Sequence, residues 1–382
     1  MLDLISSAYA KSSALASAGY TVYTPKSREE VTIIGPVDAY TGYGQLVGSI
    51  ALGLVDLGFD VRLIATQVDP RQPINPKLLS LIRTEFNPSC PWRLVIHSPE
   101  SLPYILHEGP KNVLFTMWET TNLRPVSIEH INKLASHVIT PNVWNASCFA
   151  ASGVQVPIRV VPLGIDPALY HPAPPSHGCV FGAAGRFAHG GTRKGLAEVV
   201  DVFLETFPTE KDVYLHLKCF DDCAFEHRSD PRVSVARKVF TNQEMADWYL
   251  DLRAFVSMSR AEGWGLHQHQ SMARGRPVVA AKFGGLDEFM SHDNGYCVDY
   301  ELRPATGYYE GAGRWAEPDP ASVSSAMRSI YEDPDTAYAK GALAAARASQ
   351  FTYANTCLRL AKTLFELGFL NDFSWPAAQS AA

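Results

Sequence analysis

The chain of 382 residues predicts two α/β domains, each a doubly wound parallel sheet, set against one another across a cleft. Three observations carry this. At roughly 150 residues per domain, the length asks for two. A rhythm of strand, glycine-bearing turn, helix and strand runs along the chain and restarts near its middle. Between the two runs, residues 162–178 hold Pro162, Pro167, Pro172, Pro174 and Pro175 with few apolar residues, the composition of a linker.

In the first run, Val31-Thr32-Ile33-Ile34 is a short apolar stretch of the kind that forms a buried parallel strand. Gly35 to Gly44 supplies a glycine-rich loop. Leu46, Val47, Ile50, Ala51, Leu54, Val55 and Leu57 then form a helical stripe over 45–57, with Gly58 placed to end it. Val61 to Ala65 closes a βαβ unit. Strands follow at 94–96, 113–115, 138–139 and 159–161. Helices are expected from Ser127, read as an N-cap, to Ser136, and from Val143 to Ala151.

The second run opens with a strand at 179–183 and a glycine loop at 185–191. A helix at 194–207 and a strand at 213–217 come next. Thr241 and Glu244 have the spacing of a capping box, opening a helix that reaches Leu250. A strand at 254–258, a helix at 266–274 and a strand at 277–281 follow, and helices end the chain after about 350. Residues 1–20 read as a lead-in helix or arm.

Composition narrows the function classes. Apolar residues make up 46% and charged residues 19%, enough for a substantial core. A net charge of −6 and a pI of about 6.1 argue against a protein held on nucleic acid by bulk positive charge. Mean hydropathy is −0.06, and no apolar run approaches the ~18 residues of a spanning helix. Asp3 and Lys11 interrupt what an export signal would need. Seven scattered cysteines suit reduced thiols, so a cytoplasmic setting is expected, with peripheral membrane docking left open. Cys219 and Cys223 form a CxxxC without a second pair, too little for a zinc site.

The most informative segment runs Glu262-Gly263-Trp264-Gly265-Leu266-His267-Gln268-His269-Gln270 and on through Ser271-Met272-Ala273-Arg274-Gly275-Arg276-Pro277-Val278-Val279-Ala280. It lies at a strand-to-helix turn, where ligands of open α/β sheets sit. Two glycines admit a ligand to the backbone, and the helix start offers free N–H groups to a phosphate. Glu262 is an acceptor suited to sugar hydroxyls.

This segment resembles the donor-site signature of GT-B glycosyltransferases of family 4, the glycosyl transferases group 1. The resemblance implies that Glu262 orients a donor sugar, with Gly263, Trp264, Gly265 and Leu266 framing it. Gln270 stands where the family has a second Glu on the nucleotide ribose, and His267 stands where a proline is common. Gly182-Ala183-Ala184-Gly185-Arg186 with Arg193-Lys194-Gly195 resembles the element whose Arg and Lys grip the donor diphosphate. Fixed cations there offset charge on the leaving group. The loop from Gly35-Pro36 to Thr41-Gly42-Tyr43-Gly44 resembles the family loop that approaches the diphosphate, through Gly42 and Gly44. It lacks the third glycine of a dinucleotide fingerprint, and Ala65-Thr66-Gln67 brings no acidic residue to the next strand end, which disfavours a dehydrogenase. Pro162-Leu163-Gly164-Ile165-Asp166 resembles the interdomain motif, and Gly284-Gly285 with Glu288 and Gly295-Tyr296 resembles the segment past the donor loop.

On the acceptor side, His97 and Glu119 each end a strand and are catalytic candidates beside Glu262; Trp118 is either a sugar platform or a core aromatic. Asp333-Pro334-Asp335 reads as a turn, and His267-x-His269 lacks a third ligand, so no metal is expected.

The expectation is therefore a retaining, metal-independent glycosyltransferase that moves a hexose from a nucleoside-diphosphate sugar, UDP- or GDP-linked, to an acceptor hydroxyl by a front-face route, with no further cofactor. Residues 1–165 would form the acceptor-binding domain, joined by a crossover helix at about 355–382, and 166–354 the donor-binding domain. The acceptor stays open among glycan, lipid, metabolite, protein and modified nucleic acid. The alternatives are another GT-B-fold enzyme, a sugar-nucleotide epimerase or phosphorylase, and a non-catalytic sugar-nucleotide-binding protein.

Overall fold

The computed structural model describes residues 29–38, 40–69, 73–87, 89–106, 111–174, 178–186, 193–220 and 227–371. The expected lead-in at 1–20, Cys223 and the middle of the 185–191 loop lie outside them.

The first half runs β1 (Glu30–Val37), α1 (Gly42–Asp56), β2 (Asp60–Val68), α2 (Pro76–Ser80), β3 (Trp92–Ile96), α3 (Leu102–Ile105), β4 (Lys111–Phe115), α4 (Pro125–Leu134), β5 (His137–Thr140), α5 (Val143–Ser152) and β6 (Ile158–Val160). The second runs β7 (Cys179–Ala184), α6 (Leu196–Thr206), β8 (Val213–Cys219), β9 (Val233–Arg237), α7 (Asn242–Leu250), β10 (Ala254–Val256), α8 (Leu266–Ala273), β11 (Val278–Ala281) and β12 (Tyr296–Val298). A hairpin of β13 (Tyr300–Pro304) and β14 (Arg314–Pro318) and the helices α9 (Pro320–Glu332), α10 (Pro334–Ala348) and α11 (Tyr353–Glu366) complete the chain.

Each half holds a six-stranded sheet, ordered β2-β1-β3-β4-β5-β6 and β12-β11-β10-β7-β8-β9, and every pairing in the two sheets is parallel. The second follows the 3-2-1-4-5-6 order of doubly wound nucleotide-binding sheets. Strand order reverses beside β1 and beside β7, opening a crevice at their carboxyl ends. These strands read as unbroken apolar runs because helices cover both faces: Ile33, Ile34, Leu94 and Val95 are all buried.

Several boundaries differ from expectation. Thr41, not a later residue, caps α1 by accepting from the Gly44 amide, so Gly42 and Gly44 form the first helical turn rather than a loop. Asp38 supports that cap, accepting from the Tyr40 and Thr41 amides and the Thr41 hydroxyl. A Cβ at Gly44 would come within 2.4 Å of the Asp38 carboxyl, which explains the glycine. Ser127 lies inside α4, and its hydroxyl donates to Glu100 Oε1 at 2.6 Å instead of capping. The capping box of Thr241 and Glu244 is present. Asp333 caps α10, so the Asp333-Pro334-Asp335 stretch is the joint between two helices.

The chain crosses back at its end. Ile165 donates to Phe351 O, and Tyr353 donates to Ile165 O, at 3.1 and 3.0 Å. Gly164 makes this approach possible, since a Cβ there would lie 2.1 Å from the Thr352 carbonyl carbon. From that crossing, α11 packs against α1 of the first half. Its buried face comprises Cys357, Leu360, Ala361 and Leu364, each burial contributing up to ~1.5–3 kcal/mol for the larger side chains.

Candidate active site

A cavity of about 290 Å³ lies where the carboxyl ends of the two sheets meet. The first half supplies Thr41, Gly42, Tyr43, Gln45, Met117 and Glu119 to its wall. The second supplies Gly185, Arg186, Arg193, Lys194, Phe220 and the turn from Glu262 to Gln268.

Each group arrives by local geometry. Lys194 lies just ahead of α6, whose cap Gly195 has φ +61°; a Cβ there would meet Met258 O at 2.6 Å. The helix thus starts two residues later than expected. Glu262 follows β10, and Gly265 (φ +91°) turns the backbone into α8. The first turns of α1 and α8 both open onto the cavity, bringing unpaired N–H groups to the same space.

The charged centre is a chain of alternating sign. Lys194 Nζ donates to Glu262 Oε1 and Oε2 at 2.6 and 2.8 Å. Arg193 Nη1 lies 3.7 Å from Glu262 and 4.0 Å from Glu119, and donates to Ala261 O at 2.7 Å. Burial opposes the Glu262 charge, but Lys194 and Arg193 outweigh it and hold the carboxyl down at about 2. Burial pushes Glu119 the other way, upward, against Arg193 and a hydrogen bond from Tyr309. Burial, together with Arg193, lowers Lys194.

The remaining candidates take distinct places. Gly42, Gly263, Gly265, Leu266 and Arg186 line the cavity, Arg186 with its guanidinium 5.5 Å from the Phe220 ring. Trp264 belongs to the wall but is only 2% exposed, its ring packed on His269, Phe289 and Phe351. Gln270 is buried behind the wall, where Tyr249 donates to its Oε1 at 3.2 Å and its amide reaches Gln45 Oε1 at 3.4 Å. His97 stacks on Tyr43 with centroids 6.1 Å apart, outside the cavity wall; burial lowers its pKa, so the ring is neutral at pH 7. Trp118 is a core aromatic, its Nε1 donating to Thr120 Oγ1 and Asn122 O. The two helix histidines have partners: His267, in the cavity wall, has its Nδ1 2.9 Å from the Tyr249 hydroxyl, and His269 lies between Trp264 and Ala348 O. Glu288, past the donor loop, does not line the cavity, and its carbonyl accepts from Arg347.

Sequence reasoning missed the polar joint between the halves. Asn142 and Asn145 both donate to Gly263 O, at 2.9 and 3.0 Å, and Asn145 Oδ1 accepts from the Trp118 amide at 2.6 Å. Asn142 carries a legible signal as the cap of α5. Tyr309, which reaches Glu119 from the hairpin, has none.

Comparison with known proteins bears on the fold and on residues 178–308. Residues 178–308 match the family model described as glycosyl transferases group 1. A D-inositol 3-phosphate glycosyltransferase from Thermobispora bispora is 32% identical over 124 residues, 32% of this chain and 25% of that protein. A lipopolysaccharide core biosynthesis mannosyltransferase, LpsB, from Rhizobium meliloti is 31% identical over 138 residues, 34% of this chain and 36% of that protein. The chain thus spans only about a quarter to a third of the length of these curated relatives. Among solved structures, HepE from Anabaena with UDP and glucose superposes with a TM-score of 0.64 at 16% identity, over 89% of this chain and 100% of that one. Sucrose-phosphate synthase from Thermosynechococcus elongatus gives 0.65 at 16% identity, over 89% and 99%. No helix among the described residues is long and apolar enough to cross a membrane. Residues 178–308 are thus similar to a glycosyl transferases group 1 domain, and the chain has the fold of two Rossmann-like domains seen in GT-B glycosyltransferase structures.

Proposed function

We propose that the chain is a retaining glycosyltransferase that moves a hexose from a nucleoside-diphosphate sugar to an acceptor hydroxyl without a metal. The observation that carries this reading is the meeting of Arg193 and Lys194 with Glu262 in a buried cleft, between two helix N-termini. Arg186, Arg193 and Lys194 supply positive charge where a diphosphate would leave, and the first turns of α1 and α8 add oriented N–H groups. Glu262 is fully charged at neutral pH and is suited to hold sugar hydroxyls. Binding of the diphosphate draws Lys194 away from Glu262, freeing that carboxylate for the sugar. The route we favour is front-face, with the departing diphosphate taking the acceptor proton, because Glu262 is too acidic to serve as a base at neutral pH. The solved neighbour with UDP and glucose supports a UDP-linked donor, with GDP as the other choice. Residues 1–165 with the crossover helix would bind the acceptor and 166–354 the donor, in a cytoplasmic enzyme.

The test is a thermal-shift screen of UDP-, GDP-, dTDP- and ADP-sugars, followed by measurement of free nucleoside diphosphate released with candidate acceptors. Stabilisation by one sugar nucleotide and acceptor-dependent release are expected. Binding without release in the presence of any acceptor class would favour the non-catalytic reading. No stabilisation by any of the four would overturn the donor site.

A further inference from the structure

The hairpin of β13 and β14 belongs to the second half, yet its tip rests on the first. The Thr121 amide donates to Arg314 O at 2.9 Å, and the Arg314 amide donates to Thr121 Oγ1 at 2.8 Å. Gly313 (φ +77°) sits so close that a Cβ would lie 2.4 Å from Thr121 Oγ1. Two adjacent tyrosines at the tip each hydrogen-bond a carboxylate that follows a strand of the first sheet. Tyr308 bonds Glu100, after β3, and Tyr309 bonds Glu119, after β4. Tyr309 is 8% exposed, its ring 5.4 Å from Trp118 and 5.7 Å from the Arg193 guanidinium.

The base of the hairpin is tied to the cationic segment. Arg260 Nη2 donates to Glu317 Oε1 at 2.6 Å, and the Ala316 amide donates to Arg260 O at 2.9 Å. The Arg260 amide in turn donates to Arg193 O at 2.8 Å. One unbroken path of contacts thus runs from Arg193 through Arg260 and the hairpin to Glu119.

We propose that the 300–318 hairpin is a strap that holds the Glu119 loop of the first domain against the second, and that Tyr309 is a positioning residue setting Glu119 relative to Arg193. Its consequence for transfer rests on the donor-site reading; the strap itself rests on geometry alone. Glu119 faces Arg193 and Lys194 from the segment before α6, Glu262 from the turn before α8, and Tyr309 from the hairpin. At 4.0 Å, Arg193 attracts the carboxylate without fixing its direction, and the Tyr309 hydroxyl gives it a second partner, a directional one. Without that hydroxyl, Glu119 is free to turn and more readily takes a proton.

Tyr309→Phe keeps the packed ring and removes only the bond. The first measurement is amide hydrogen exchange in the ligand-free full chain, over the peptide containing Thr121, for wild type, Tyr308→Phe and Tyr309→Phe. Exchange about tenfold faster in Tyr309→Phe is expected, on the scale of a lost hydrogen bond to a charged group. Exchange unchanged within about twofold overturns the strap, whether or not any donor is turned over. The second is the pH profile of nucleoside diphosphate release with the donor found by the screen. A kcat about tenfold lower with donor KM nearly unchanged is expected, the acid limb moving to higher pH, with no further loss when Tyr309→Phe is added to Glu119→Gln. Faster exchange with kcat and acid limb unaltered overturns the positioning role. A wild-type chain that binds no sugar nucleotide fails the donor reading instead, and the exchange result still decides the strap.

Discussion

Lys194 Nζ lies 2.6 Å from Oε1 of Glu262, so the compact cation of the cleft is bound to a carboxylate until a ligand competes for it. Both side chains are largely buried, and Arg193 lies 3.7 Å from the same carboxylate. Removing either partner leaves a buried charge poorly matched, and either loss removes a contact to the expected donor.

Lys194→Ala and Glu262→Ala should therefore each lower the rate of nucleoside diphosphate release by at least ~10²-fold, as loss of one preorganised electrostatic contact does. Steady-state kinetics at saturating donor checks this. Near-wild-type rates in both variants would remove these residues from the site.

The same pair predicts an acid dependence. The Glu262 carboxyl is held at about 2, below its ordinary 4.5, so the stability it contributes is complete above about 4.5 and is lost as pH falls toward 2. The melting temperature of wild type should exceed that of Glu262→Gln most at neutral pH, and the gap should close below pH 4.5. A gap of constant size down to about pH 2.5 would refute the linkage.

Lys218 predicts a second rise of stability with pH, at the alkaline end. It is 3% exposed, with its ammonium 4.3 Å from the Phe220 ring and 5.4 Å from Phe240, and burial lowers it from 10.5 to about 8. The aromatic faces offset part of the cost of burying the charge. The unfolded chain binds more protons between pH 8 and 10.5, so stability contributed by this site rises with pH across that window. Lys218→Met should raise the melting temperature at pH 7 by ~2 °C or more and flatten the rise above pH 8. A lower melting temperature would show that the ammonium has a stabilising partner.

Asn145 joins the halves through Gly263 O and holds the Trp118 amide. Asn145→Ala leaves that buried amide unsatisfied and should cost ~2–3 kcal/mol in urea unfolding, more than Asn142→Ser, which keeps a capping oxygen. Equal and small losses in both would mean that the joint carries little of the stability.

Much of the architecture was legible because it is written in local patterns. Buried parallel strands read as apolar runs, and α1 announced itself through a stripe from Leu46 to Leu54. The capping box at Thr241 and Glu244 and the Glu262–Leu266 turn were visible from spacing alone. Less was legible where apolar patterning is weak. β13 is exposed along its whole length, so the hairpin has no buried apolar run to mark it. The helix start at Gly42 was hidden because two glycines in a first turn look like a loop until a cap is seen.

The sequence by itself determined the two sheets, the linker, and which turns would carry glycine, cation and carboxylate, because each depends on residues close in the chain. Tertiary structure alone decided that Lys194 would be neutralised by Glu262, that Gln270 would turn away behind the cavity wall, and that Tyr309 would reach Glu119. Those pairings join segments far apart in sequence, and their partners are selected by the packing of whole domains, which no short-range periodicity encodes.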